Sequence, residues 1–254
     1  MNVTSTSTEI PGLHASLKPY VSKTRFGLNI SSPLVQILHL ELAAREAGLS
    51  MAELANRLLK DKEDSLLLAK AQGDWENYVC LHERAYRVDA LVSVIEQHSS
   101  KGGTHPELSI QLGEIASEVW YDAKYPWQSL EDWRFVFQTL DANKQSLMSK
   151  SERRALRKMP SEFTVYRGVS AVDHMEAEEA AFGLSWTTQQ SKAEWFARRF
   201  ALDDSQAFVI EATISKKAVI AYLTGREESE ILIDPDNIYE MKIEELEREM
   251  VEAA

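Results

Sequence analysis

Cysteine is nearly absent: Cys80 is the single one in 254 residues. An intrachain disulfide and a thiolate metal cluster are therefore excluded. Its setting, "ENYVCLHERA", reads as helix, where a thiol is expected to pack as a small hydrophobe. The six histidines (14, 39, 82, 98, 105, 174) are scattered without metal-ligand spacing. No stretch approaches the roughly 20 apolar residues of a membrane span. The first residues, "MNVTSTSTEIPGLHASLKPY", lack the apolar core of a signal peptide. The expectation is a protein of the reducing cytoplasm, without a metal and away from membranes.

Positive charge is also scarce, with 28 Lys+Arg against 40 Asp+Glu and a net charge of −12. The imbalance deepens along the chain, from 15 against 19 through residue 150 to 13 against 21 beyond it. Phosphate backbones are repelled by such a surface, which argues against nucleic acid as a partner. The glycine signatures GxGxxG and GxxxxGK[ST] are missing, as is GxSxG, so Rossmann, P-loop and hydrolase readings lose support together.

What is present divides into two regions. Residues 1–30 are Ser/Thr-rich with Pro11 and Pro19 and read as a loosely ordered arm. From Pro33 to about His98 the period is helical. Leu34, Ile37, Leu38 and Leu42 recur at 3–4 spacing before Gly48, and Ser50 with Glu53 forms a capping-box pattern that opens a second helix. "NYVCLHERAYRVDALVSVIEQH" predicts a long third helix. This order has the outline of a helix-turn-helix DNA reader, but the second helix offers Arg57, Lys60 and Lys62 in an acidic setting, so a plain helical hairpin is expected.

"SSKGGTHPE" predicts a linker around residues 99–107, separating a helical region, 1–105, from a second domain, 106–254. Helical patterns continue to about residue 158, with Trp120, Trp127 and Trp133 expected to pin helices onto a core. After Pro160 the period becomes two. Segments 163–169, 183–188, 207–214, 218–223, 230–234 and 237–243 read as short strands, interrupted by one helix at 191–201. The closing "EELEREMVEAA" reads as a solvated helix or tail. The class is α+β, with a mostly antiparallel sheet system and helices segregated upstream.

Three polar motifs ride on these strands. In "VYRGV", Arg167 near a strand end offers a fork for a diphosphate, and Gly168 lets a flat ligand approach the backbone. In "GLSWTT", Ser185 and Thr187 are two apart and share one strand face, where their hydroxyls can orient a carboxylate. In "YLTGREESEILID", an extended chain puts Glu228 and Glu230 on one side and Ile231 and Ile233 on the other. Paired carboxylates of this kind stabilise a developing cation and remove a proton at glycosidic centres. Glu227 has no such partner two residues on, since that position is Ser229. Each motif alone is ordinary: a surface ion pair, strand hydroxyls, a solvated acidic turn.

Taken in order, Arg-Gly, Ser-x-Thr before a helix and Glu-x-Glu before an apolar strand, the chain resembles the mono-ADP-ribosyltransferase superfamily over about residues 110–240. The tract from Trp133 is similar to the helical lead-in of phage and bacterial members, which include effectors and toxins. The middle element departs from the family's Ser-Thr-Ser, with Trp186 at its centre. The resemblance implies a split antiparallel β-sandwich with flanking helices that binds NAD as co-substrate, releases nicotinamide and transfers ADP-ribose. It implies that Arg167 holds the pyrophosphate side and the Gly168 backbone reads the nicotinamide amide. Ser185 would orient Glu230, with Thr187 shaping the same wall. Glu230 would bond the ribose and stabilise its positive charge, and Glu228 would act on an arginine of an acceptor protein. Tyr222, in the loop leading to Glu228, would contact the acceptor, and Phe196 would stack on nicotinamide. Arg198 and Arg199 are read as solvated. NAD hydrolysis, a non-protein acceptor and a catalytically silent binding module remain alternatives. The N-terminal helices are left as a surface for a partner protein.

Overall fold

A computed structural model describes residues 9–99, 106–123, 126–201, 205–225, 228–238 and 240–247. The chain forms two compact units, Met1–Gly103 with Asp122–Lys124 and Thr104–Tyr121 with Tyr125–Ala254. Most of the expected linker, residues 100–105, lies outside the described residues.

The first unit opens on an ordered segment where a loose arm was expected. Residues Ala15–Tyr20 form a 3₁₀ turn, and β1 (Val21–Thr24) pairs antiparallel with β2 (Gly27–Ser31), which pairs in turn with β3 (Gln36–Ile37). Three spaced apolar residues, Ile10, Leu13 and Leu17, are buried with Ile30, Ile37 and Leu59. The Ser/Thr content concealed this anchor. Asn56 fastens it further, accepting from the His14 amide at 2.8 Å and donating to the Gly12 carbonyl at 2.9 Å.

Helix α1 spans Leu40–Ala47, shorter than the periodicity suggested, because Ile37 enters the core from β3 and Leu38 and Leu42 are exposed. Gly48 ends it in a left-handed conformation. Then the Ser50–Glu53 capping box opens α2 (Met51–Gln72). The expected third helix is broken into α3 (Trp75–Cys80) and α4 (Arg87–Ser99). The break has a hydrogen-bonding cause: Lys62 Nζ takes the Leu81 carbonyl at 2.8 Å, and the Glu83 amide donates to Pro33 rather than along the helix. Cys80 sits at this break and is exposed, not packed as expected.

The second unit begins with α5 (Pro106–Asp122), α6 (Leu130–Thr139) and α7 (Lys150–Lys158). Trp120 meets Trp133 edge-on at 5.0 Å and Phe137 at 5.6 Å, joining α5 to α6. Such pairs add about 0.5–1.5 kcal/mol beyond their burial. The Trp127 side chain lies outside the described residues.

Beyond Pro160 the chain runs β4 (Glu162–Ala171), α8 (His174–Ala180), β5 (Ser185–Thr187), α9 (Gln190–Phe200), β6 (Gln206–Ser215), β7 (Val219–Leu223), β8 (Glu230–Ile233) and β9 (Met241–Glu245). Helix α8 was not foreseen, and the last strand starts later than expected because Pro235–Asn237 makes a 3₁₀ turn. Glu244 and Glu245, read as the start of a helix or tail, belong to β9. Residues 248–254 of that acidic tract lie outside the described residues.

The sheet order is β7-β8-β5-β4-β6-β9, antiparallel throughout. Its two halves are unequal in their bonding. β4 and β6 pair along ten residues, whereas β4 and β5 share the one pair Tyr166↔Thr187. The sheet is thus nearly divided along its middle. Arg167 stands in the interior of β4, not at its end, because Val169 and Ala171 carry the pairing onward to Gln206. No helix among the described residues is long and apolar enough to cross a membrane.

Gly168 is set by α9. A Cβ there would lie 1.8 Å from the Ala193 carbonyl oxygen and 2.8 Å from the Ala197 amide nitrogen, both backbone atoms. Helix and strand therefore approach in a way any side chain would prevent. Gly168→Ala should cost roughly 1–3 kcal/mol or more, read as a lowered unfolding midpoint in denaturant. An unchanged midpoint would refute this packing.

Candidate active site

The site grows from the pairing of β5 with β8. Register places Thr187 opposite Glu230 and Ser185 opposite Leu232, while Glu230 also faces Leu223 of β7. All four residues of β8 are buried, so the strand's first residue carries a carboxylate into an apolar setting with only 6% of its surface exposed. A buried carboxylate needs donors to offset its lost hydration. Two converge on one oxygen: Ser185 Oγ donates to Glu230 Oε1 at 2.5 Å and Trp120 Nε1 donates to the same atom at 3.1 Å. Charge-assisted bonds of this kind are short and strong. They fix the carboxylate's direction before any ligand arrives.

Ser185 also ties in Arg167. Arg167 Nη1 donates to the Ser185 carbonyl at 2.6 Å and Nε donates to the Ala180 carbonyl at 2.9 Å. The guanidinium lies against Gly183, where a Cβ would meet Nη2 at 2.1 Å. Burial lowers the Arg167 pKa to about 10, and the negative Glu230 pulls it back up. At neutral pH the group stays cationic. Ser185 is thereby the shared partner of Arg167, through its carbonyl, and of Glu230, through its hydroxyl.

Thr187 is tied to the chain that carries Glu228. Its hydroxyl donates to the Glu228 carbonyl at 2.6 Å and accepts from the Gln189 amide at 3.1 Å. The Gln189 side chain reaches Ser229 Oγ at 2.7 Å, and the Thr188 amide donates to the Ser229 carbonyl at 3.2 Å. Ser229 itself is left-handed, with φ of 47°. A non-glycine residue pays to adopt that conformation, so its surroundings must impose it. Strand geometry therefore starts at Glu230. Glu228 is half-buried on the preceding bend, and the one-face alternation expected of the pair does not hold. Glu227 lies outside the described residues.

Tyr222 is a correction. It belongs to β7, opposite Ile231, and is buried, with its amide donating to Met148 Sδ at 3.3 Å. The expected loop position is therefore a strand position on the edge strand of the sheet. Phe196 is half-buried on α9 and packs edge-on against Trp195 at 4.9 Å. Trp195 is the exposed member of that pair, and the Arg199 guanidinium lies 4.7 Å from its ring centre. Arg198 pairs with Glu194 at 3.9 Å. Trp186 faces away from the hydroxyls, buried, and donates to the Gly183 carbonyl at 3.0 Å.

Several contributors gave no sequence signal as site residues. Trp120 reaches Glu230 across 110 positions. Glu152 is the other buried carboxylate nearby. It closes the α7 capping box, accepting from the Ser149 amide at 2.7 Å, and accepts on Oε1 from the Thr224 amide at 2.7 Å, the Thr224 hydroxyl at 3.0 Å and the Tyr121 hydroxyl at 3.3 Å. The Ser-x-x-Glu spacing could have announced the cap, but nothing local announces Thr224. Among the described residues no group of three or more His, Cys, Asp or Glu is placed to hold a metal ion.

Comparisons with protein-family models, with curated proteins and with solved structures return no match. The site's chemistry therefore rests on its own geometry.

Burial alone would raise the Glu152 pKa, but hydrogen bonds from Thr224 and Ser149 outweigh it and hold the carboxyl below its ordinary 4.5. A carboxyl depressed in the folded state adds stability above its unfolded pKa and loses it as pH falls through the folded value. Glu152→Gln should therefore show a shallower decline of melting temperature between pH 5 and pH 3 than the wild type, on the order of the ordinary carboxylate window. Parallel curves would contradict it.

Proposed function

We propose that this protein is a mono-ADP-ribosyltransferase, cleaving the bond between nicotinamide and ribose in NAD and passing ADP-ribose to an arginine side chain of an acceptor protein. The observation that carries this is Glu230: a buried carboxylate at a strand start, aimed by Ser185 and Trp120, with Arg167 fastened to the same Ser185. A carboxylate aimed by fixed donors suits a reaction that develops positive charge on a sugar, the mirror image of an oxyanion hole. The near-division of the sheet at Tyr166↔Thr187 supports the split antiparallel sandwich of that superfamily.

The roles follow from the chemistry. Arg167, held by the Ala180 and Ser185 carbonyls, offers its remaining N–H groups to a diphosphate. Gly168 contributes backbone only, since α9 fills its side-chain direction. Glu230 accepts from a ribose hydroxyl and lowers the energy of the cation that forms as nicotinamide departs with the bonding pair. A guanidine nitrogen then bonds to the ribose carbon, and Glu228 takes the proton released. Phe196 and the exposed Trp195 lie on α9, the helix that follows Thr187, and offer aromatic surface to the nicotinamide side. NAD supplies the group transferred, and no metal is required by these steps.

A second reading, hydrolysis of NAD by water, is favoured by the left-handed Ser229, which removes Glu228 from the Glu230 strand face. The two differ in acceptor only. A third, a silent NAD-binding module, is separated from both by turnover.

Glu230→Gln keeps the shape and the hydrogen bonds to one oxygen while deleting the charge. Nicotinamide release from NAD should fall by on the order of 10²–10³-fold, with NAD binding by calorimetry largely retained. Equal release by both proteins would sink the proposal. With wild type active, addition of an arginine-rich protein should divert ADP-ribose from water to that protein; its absence favours hydrolysis.

A further inference from the structure

The last turn of α5 touches the site twice. Trp120 donates to Glu230, and its neighbour Tyr121 reaches the chain that leaves β7 on its way to Glu228. The Tyr121 hydroxyl accepts from the Gly225 amide at 3.2 Å and donates to Glu152 Oε1 at 3.3 Å. The hydroxyl end of its ring stands close to the backbone there, since a Cβ on Gly225 would lie 3.0 Å from Tyr121 Cζ. Glu152 takes the next residue back, receiving both the amide and the hydroxyl of Thr224.

This contact exceeds what helix capping asks of Glu152. A glutamine at that position completes a capping box equally well. Capping occupies Oε2, through the Ser149 amide, while Oε1 is given wholly to Thr224 and Tyr121. No ion pair to Glu152 appears among the described residues, so a buried negative charge is sustained by neutral donors alone. Linked donors of this kind polarise one another and stiffen the group they hold. At the far end, Thr187, Thr188 and Gln189 hold Glu228 and Ser229. Thr224 and Gly225 on one side, and Glu228 and Ser229 on the other, are thus each held by side chains or backbone from elsewhere in the unit.

We propose that Tyr121 and Glu152 are positioning residues for the acceptor: they clamp the start of the Glu228 segment and so set how cleaved NAD divides between a guanidine and water. This rests on the transferase reading given above. The clamp acts through Glu228 and leaves Glu230 to Ser185 and Trp120. Its loss therefore affects capture of the guanidine more than cleavage of the nicotinamide bond.

Tyr121→Phe keeps the ring and removes the hydroxyl, and Thr224→Ala removes one of two donors from the same residue. Wild type and variants are incubated with labelled NAD and agmatine as a guanidine probe, and ADP-ribosyl-agmatine and free ADP-ribose are separated. In Tyr121→Phe the ratio of transfer to hydrolysis should fall about tenfold, as misplacement of a reacting group by a fraction of an ångström would cause. The KM for agmatine should rise while that for NAD holds. Thr224→Ala should shift the ratio in the same direction and less. Hydrogen exchange at the Gly225 amide should quicken in Tyr121→Phe. An unaltered ratio, or equal loss of both products, overturns the inference. Wild type that cleaves no NAD instead overturns the transferase reading, and this inference with it; unaltered Gly225 exchange overturns the clamp by itself.

Discussion

The bond from the Ser185 hydroxyl to Glu230 is the contact on which the rest of the second unit converges. Glu230 begins a strand whose four residues are all buried, so its charge is tolerable only if donors replace water. Ser185 supplies one from β5 and Trp120 supplies another from α5, and both meet the same oxygen. Everything that places these two residues therefore serves the carboxylate: the β5–β8 register, the aromatic packing of Trp120 on Trp133 and Phe137, and the pin of Arg167 on the Ser185 carbonyl. Beyond β8, Arg134 adds a salt bridge to Asp234 at 3.1 Å and another to Asp236. The strand is held from both ends.

Around that carboxylate, small residues mark close approach. Gly168 admits α9 onto β4, and Gly183 leaves space for the Arg167 guanidinium. The two halves of the sheet part at Tyr166↔Thr187, just where Arg167 and Ser185 come together. Sheet hydrogen bonding is given up there, and a cation, a hydroxyl and a carboxylate stand in its place. Irregular pairing beside a polar cluster is where ligands commonly meet a sheet.

How much of this was legible from the residues depends on range. The change of period after Pro160 located the strands, and the Ser50–Glu53 spacing located a helix start, because both are local patterns. Arg167, Ser185 and Glu230 were singled out by order along the chain. Less local features left no trace. Trp120 read as a core aromatic since its second job depends on a residue 110 positions away. The break after Cys80 needed Pro33 and Lys62 to claim groups that a continuous helix would have used. Tyr222 read as a loop aromatic, yet it lies in β7, a strand buried at four of its five positions. A left-handed serine at 229 is not written in a Glu-Ser-Glu triplet; Thr188 and Gln189 impose it from the neighbouring strand end.

The central claim, within the proposed transferase reading, is that the Ser185 hydroxyl acts through Glu230 and has no separate route to the chemistry. A double-mutant cycle on nicotinamide release tests it most directly, using Ser185→Ala, Glu230→Gln and the pair. The account predicts strong non-additivity: once Glu230 has lost its charge, removing the Ser185 hydroxyl costs little more, within about threefold. Penalties that multiply in full, as though the two residues were independent, would contradict it.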